Sequence, residues 1–413
     1  MHIFPVKGTS VMRLVSNRWN WTLSLLFILS LLGLYFAPHT HADGGAPNLA
    51  YVSGTSSGVS VIDVGQAKVT KTITVAGDPH TILLSQDGSF LYASQPAVGQ
   101  VSVIRADTGS IYCTVHLPGK PSLLAIDPDM NTLYAAGNGA AQVTALDPTN
   151  CKVLDTFGVH GPVYGLAVAL TAGSGLNNST SNQLWVASTD GLTAFDDRTG
   201  QTLGDVTLPD GPQYLSIPPG ETVYVTTRQG SVDAVGLKTR EVRQLLKGGI
   251  FGPVDYDALT SEVYVPDEQH NVLDVLSPID TGMIVLPKEP ERVIHTGNPP
   301  ESVAITNDGL LGFIAFRGGK IAMLDLIAHR FVYTVNVGGT PHFIITGLYP
   351  PPVLETPTPA SNAISTQQPS VPQMFWFIVF FVALVTIVVV TMILVWQLRQ
   401  YLKIKHERRD YPS

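Results

Sequence analysis

His80, Glu301 and His342 are the residues of this sequence whose types could jointly do chemistry. Two imidazoles and a carboxylate suit a divalent metal, or act as a general acid/base group around a small polar ligand. Each follows a proline directly, as Pro79-His80, Pro300-Glu301 and Pro341-His342. Ser122, Val163, Gln213 and Val254 stand at the same place after Pro121, Pro162, Pro212 and Pro253. If those prolines open equivalent strands, the seven residues form one ring, and His80, Ser122, Gln213, Glu301 and His342 are its polar, ligand-binding members. A Pro-His step is equally a plain strand start whose ring hydrogen-bonds a loop carbonyl. That reading is preferred, because nothing in the sequence supplies outer partners to fix the rings as ligands. Arg317 and Lys320 could add positive charge nearby and are read as a solvated loop.

Other chemistry is sparse. The sequence holds no GxSxG, HExxH, P-loop, EF-hand or CxxCH pattern. Asp63, Asp147, Asp196 and Asp325 recur at matching offsets, but each ends a strand before a turn, where a carboxylate caps backbone N–H groups. Cys113 and Cys151 are the two cysteines. Counted along their strands they differ in height by about 10 Å at ~3.3 Å per residue, and they fall on outer strands of neighbouring sheets. A disulfide needs Cα atoms within about 7 Å, so this spacing predicts two free thiols.

The elements that position these residues come from a repeat. An aromatic flanked by small or aliphatic residues occurs at Tyr51, Tyr92, Tyr134, Trp185, Tyr224, Tyr264 and Phe313, with spacings of 41, 42, 51, 39, 40 and 49. The seven prolines, the last of them Pro341, are spaced by 42, 41, 50, 41, 47 and 41. Each unit holds four short β-rich runs joined by Asp-Gly or Thr-Gly turns, as in HTILLS, FLYAS, VSVIRA and IYCTVHL, so it is an antiparallel four-stranded meander. Four-stranded units of about 40–45 residues are the signature of propeller blades. No proline-led strand precedes Tyr51, and the run after Pro341 has no successor. The first blade therefore takes three strands from one end of the chain and its innermost strand from the other. The expected fold is an all-β, seven-bladed β-propeller closed by its N- and C-terminal strands, over residues 46–348.

The runs LYASQ, LYAAG, TVYVTT and EVYVPD, the VSVID-type strand that follows and the proline before the inner strand resemble the YVTN-type β-propeller repeat family. The resemblance implies the fold and says little of function, since such propellers serve surface-layer, binding and enzymatic proteins alike. No GH…WD pattern is present, which disfavours WD40. Two insertions interrupt the period. Thr171 to Asn182 lengthens an inner-to-second-strand loop and carries N-x-S/T sequons at Asn177 and Asn178; the Pro278 to Glu291 region lengthens an outer connection.

The flanks set the address. Lys7, Arg13 and Arg18 precede the apolar run Trp21 to Ala37, and Thr40-His41-Ala42 offers a cleavage site, so residues 1–42 read as a signal peptide or a signal anchor. Residues 349–373 are rich in Pro, Thr, Ser and Gln and read as a stalk. Met374 to Trp396 is 23 residues without a charge, a single C-terminal transmembrane helix. Residues 397–413 follow with Arg399, Lys403, Lys405, Arg408 and Arg409, a basic cytoplasmic tail by the positive-inside rule. Both flanks carry +3 while the middle carries −14, a poor match for a nucleic-acid backbone.

These features predict a single-pass cell-membrane protein with its propeller outside. It would be a non-enzymatic binding scaffold for an extracytoplasmic protein or small ligand, without nucleic acid and without a resident cofactor. The alternative is an exported enzyme, lactonase-like or quinoprotein-dehydrogenase-like, acting at the channel mouth with His80, Glu301 and His342 holding a divalent metal.

Overall fold

The computed structural model describes residues 49–347, apart from 173–180, 280–282, 284, 286 and 307. The signal segment, the sequons at Asn177 and Asn178, the stalk, the transmembrane segment and the tail lie outside the described residues. Within them, 28 strands form seven four-stranded sheets, each an antiparallel meander in chain order from inside to outside, with one exception. In blade 1 the innermost strand is Ile344–Gly347, followed outward by Leu49–Thr55, Gly58–Asp63 and Lys68–Thr74. Leu49 pairs with Gly347 and Val52 with Ile344, so the two ends of the described chain close the ring as the repeat count requires.

Packing explains why the repeat carries an aromatic. The seven apolar clusters of the core each draw on two neighbouring blades, and each contains one repeat aromatic. Tyr51 packs with Ile82 and Leu91 of blade 2, Tyr134 with Leu184 and Val186 of blade 4, and Phe313 with Ala50 and Val52 of blade 1. All seven rings are at most 2% exposed. Radiating sheets diverge from the axis, and a large ring fills the widening gap while a small residue beside it lets the next sheet approach. Buried hydroxyls among these rings find partners: Tyr224 Oη accepts from Ile279 N at 3.0 Å, and Tyr264 Oη donates to Glu262 at 3.1 Å.

Six blades carry a register shift between the third and outer strands, for example at Val103/Ile104 and Ala145/Leu146. Bulges increase strand twist, and this overturns the expectation of free thiols. Cys113 and Cys151 form a disulfide with Cα atoms 6.1 Å apart. Cys113 lies beside the Val103/Ile104 shift, and Cys151 occupies the left-handed turn (φ 58°) that begins the outer strand of blade 3. Height counted along strands does not equal height along the ring axis once the strands tilt. The low end of one outer strand thereby meets the middle of its neighbour. Both cysteines pack in the apolar seam of blades 2 and 3.

Candidate functional site at the channel mouth

Inner strands all start at one end of the ring, which also receives the loops between second and third strands. At this mouth the residues that follow the repeat prolines sit against the neighbouring blade through their backbones. Ser53 Oγ donates to the His80 carbonyl, and Thr81 Oγ1 donates to that of Ser122 at 2.7 Å. A Cβ on Gly165 would lie 1.9 Å from the Gln213 carbonyl, and one on Gly252 would lie 2.3 Å from that of Glu301. Close blade-to-blade approach at the mouth thus depends on small or hydroxyl-bearing neighbours. Val163 is buried and Val254 half-buried, so these two contribute bulk and no polar group.

Side chains divide the mouth into two halves. In the first, the rings of His80 and His342 stack with centroids 5.0 Å apart and planes 15° from parallel. Gly54 makes room for this, since a Cβ there would meet the His342 ring at 2.6 Å. His342 Nε2 lies 3.2 Å from Asp78 Oδ2, a pair that the exposed carboxylate leaves largely to solvent. His80 Nδ1 is buried without a hydrogen-bond partner among the described residues. Burial and then the neighbouring imidazole hold His80 below the ordinary histidine value, against the pull of the Ser122 backbone and Asp78.

The second half is charged. Arg317 donates from Nε to Glu301 Oε1 and from Nη2 to Glu268 Oε2, both at 2.7 Å. The guanidinium side chain is 65% exposed while the two carboxylate side chains are 14% and 17% exposed, so an outer cation caps two inner anions. Burial raises Glu268 above the usual carboxylate range, with Arg317 opposing. Tyr214 lies among Gln213, Glu268 and Glu301, and burial raises its phenol as well.

The proposed ligand residues are therefore split. His80 and His342 come together, with Ser122 next to them through its backbone, while Gln213 and Glu301 belong to the charged half. The metal set His80, Glu301, His342 is not assembled: Arg317 engages Glu301, and nearly parallel stacked rings cannot aim two in-plane lone pairs at a common point. Among the described residues no group of three or more His, Cys, Asp or Glu side chains is placed to hold a metal ion. Lys320 opens the third strand of blade 7, exposed and opposite Asn336.

Sequence reasoning missed a second ring. Arg317 stands four residues after Phe313, and the same offset gives Glu268, Arg228 and Thr189 in the three preceding blades. Two neighbouring pairs in this series touch: Arg317 pairs with Glu268, and Arg228 Nη2 donates to the Thr189 carbonyl at 2.6 Å while stacking 4.2 Å over Tyr164. The signal was present in the repeat alignment but hidden by reading each loop alone.

The described ends of both insertions leave the ring away from the mouth. The insertions join inner to second strand in blade 4 and third to outer strand in blade 6, connections that antiparallel order puts at the opposite end. Thr222 Oγ1 donates to Ile279 O at 2.6 Å and Arg243 Nη1 to Met283 O at 2.7 Å, tying the second insertion to blade 5.

No family model and no curated protein matches the chain. Solved structures match its fold. Kuenenia stuttgartiensis hydrazine synthase aligns at 18% identity over 66% of this chain and 90% of that one, with a TM-score of 0.53. Dihydro-heme d1 dehydrogenase NirN in complex with DHE aligns at 13% over 75% and 78%, TM-score 0.52, and apo AztD from Citrobacter koseri at 14% over 72% and 97%, TM-score 0.53. At such identity the likeness is one of fold alone, the β-propeller.

Proposed function

We propose that the chain is an exported, membrane-anchored propeller with YVTN-like repeats that works as a non-enzymatic binding scaffold outside the cell, with the channel mouth as its contact face. One observation carries this reading. Polar and charged groups from successive blades converge at the mouth, whereas Leu49 and Gly347 pair at the other end, so the chain leaves the ring remote from the candidate site. The apolar flanking segments and the Pro-rich residues 349–373 support export and tethering. Cross-linking the full-length protein on intact cells with a membrane-impermeant reagent tests it. The wild type should capture an extracytoplasmic partner that His342→Ala and Arg317→Ala variants lose. Capture unchanged in both variants, or no labelling from outside, would overturn the proposal.

The second reading is an exported enzyme, lactonase-like or quinoprotein-dehydrogenase-like, at the same mouth. Propellers named as a hydrazine synthase and a dehydrogenase share the fold. Hydrolysis of a lactone or oxidation of an alcohol by the purified full-length protein, abolished in Glu301→Gln, would favour it over the scaffold.

A further inference from the structure

At the end of the ring opposite the mouth, blades 3 and 4 bury a pair of aspartates for which nothing above has a use. Asp127 ends the inner strand of blade 3 and is 0% exposed; Asp197 follows the third strand of blade 4 and is 7% exposed. Asp127 lies within hydrogen-bonding reach of Asp197. Asp127 Oδ1 accepts from Asp129 N and from Asn182 Nδ2, each at 2.9 Å. Among the described residues its Oδ2 has no partner, and neither does either carboxylate oxygen of Asp197. Three buried anionic oxygens without donors would cost several kcal/mol if both groups were ionised.

Blade 6 shows what is missing. Asp257 occupies the corresponding turn, and its Oδ2 accepts from Thr260 Oγ1 at 2.8 Å. In blade 3 the residue at that offset is Met130, which has no hydroxyl. Charge does not compensate either. The groups acting on Asp197 are Asp127, Asp196 and the Asn182 backbone, and none is cationic. Among the described residues the remaining polar groups facing the pair are Asp129, held by Asn182 Nδ2 at 2.9 Å, and Tyr134, whose hydroxyl donates to the Asp197 carbonyl at 3.4 Å. Asp196 is occupied by Ser181, Thr199 and Arg198 N.

We infer that Asp127 and Asp197 form a carboxylic acid–carboxylate pair that holds one proton between them, and that loss of this proton weakens the seam between blades 3 and 4. The shared proton supplies the donor that Met130 cannot. Two buried like charges in contact cannot both ionise cheaply, so one proton is retained. Asp197 is accordingly raised to about 7, by burial first and then by Asp127. The fold keeps a proton that the unfolded chain releases near the ordinary value of 3.8, so the pair's own contribution to stability is fully present below that value and is lost as pH rises toward about 7. Asn182 bonds both Asp127 and Asp129, and its Oδ1 accepts from Ala172 N at 3.0 Å, so the two ends of the blade 4 insertion are tied to the same pair.

Thermal melts of the full-length protein from pH 4 to pH 8, with and without added calcium chloride, test the inference. The wild type should melt several degrees lower at pH 8 than Asp197→Asn, with the two converging below pH 5. Met130→Thr, at an exposed turn position, should shift the wild-type fall to lower pH by giving Asp127 Oδ2 a hydroxyl donor. Parallel pH profiles for wild type, Asp197→Asn and Met130→Thr would overturn it. So would a calcium-dependent rise at pH 8 that Asp197→Asn abolishes, since the pair would then be a cation site and not a proton site.

Discussion

Thr189 and Arg228, which occupy the same loop position in blades 4 and 5, are joined by a hydrogen bond from the Arg228 guanidinium to the Thr189 carbonyl at 2.6 Å. Arg317 and Glu268 repeat the relationship between blades 7 and 6. Loops at the mouth are thus fastened to each other pairwise, and the arginines are the fasteners. Arg317→Ala should leave the fold almost unchanged, because the guanidinium is mostly exposed and solvent-screened pairs contribute about 0–1 kcal/mol. The carboxyl of Glu268 should rise further above its ordinary value once Arg317 no longer opposes its burial. A carbon-13 carboxylate titration reads this shift; a fall in the Glu268 value would contradict the arrangement.

The stacked imidazoles give a second titration. His80 is lowered by burial first and by His342 next, so His342→Ala should raise it part of the way back toward 6.5. With its value depressed in the fold, His80 costs no stability above 6.5 and costs progressively more as pH falls below that value. Proton NMR of the imidazole resonances measures the change. A His80 value that stays put or drops in the variant would show that the stack carries no charge coupling.

Seam aromatics should dominate stability. Phe313→Ala removes a wholly buried ring from the junction of blades 7 and 1 and should cost about 3–5 kcal/mol. Tyr333→Ala, on the outer strand of blade 7 and 55% exposed, should stay within about 0.5 kcal/mol of wild type. Urea midpoints for the two variants decide the matter, and comparable losses would mean that the seams are not where cohesion resides.

The disulfide closes a loop whose ends are 38 residues apart in sequence, and loop entropy assigns it about 4 kcal/mol. Cys113→Ser and Cys151→Ser should be equally destabilised, and the double variant should be no worse than either. Additive losses would show that each sulfur acts through packing in the seam and not through the bond.

Removing residues 341–347 deprives blade 1 of its inner strand and should unfold or oligomerise the protein. Sedimentation and a thermal melt report the outcome. A monomer with an unaltered transition would mean that ring closure does not depend on this strand.

Much of this was legible in the residues themselves. Seven aromatics and seven prolines at near-constant spacing gave the blade count, and the unmatched run after Pro341 gave the closure, because sheet pairing leaves no lone strand in a ring. The mouth was legible only as a set of positions. Which of them meet depends on side-chain reach, so Glu301 turned to Arg317 while His80 and His342 stacked. Glu268 and Tyr214 went unnoticed, since neither follows a repeat proline by one residue. The Cys113–Cys151 bond was misjudged because twist and bulging act across a whole sheet, which linear counting along one strand cannot register.

Leu49 and Gly347 are opposite one another at the last rung of the ladder between the blade 1 inner strand and its neighbour. Tension that draws the flanking segments apart acts on that rung alone, and the hydrogen bonds then break one after another instead of sharing the strain as they would in shear. The ring therefore has a built-in tear point, which opens when both of its flanks are pulled at once.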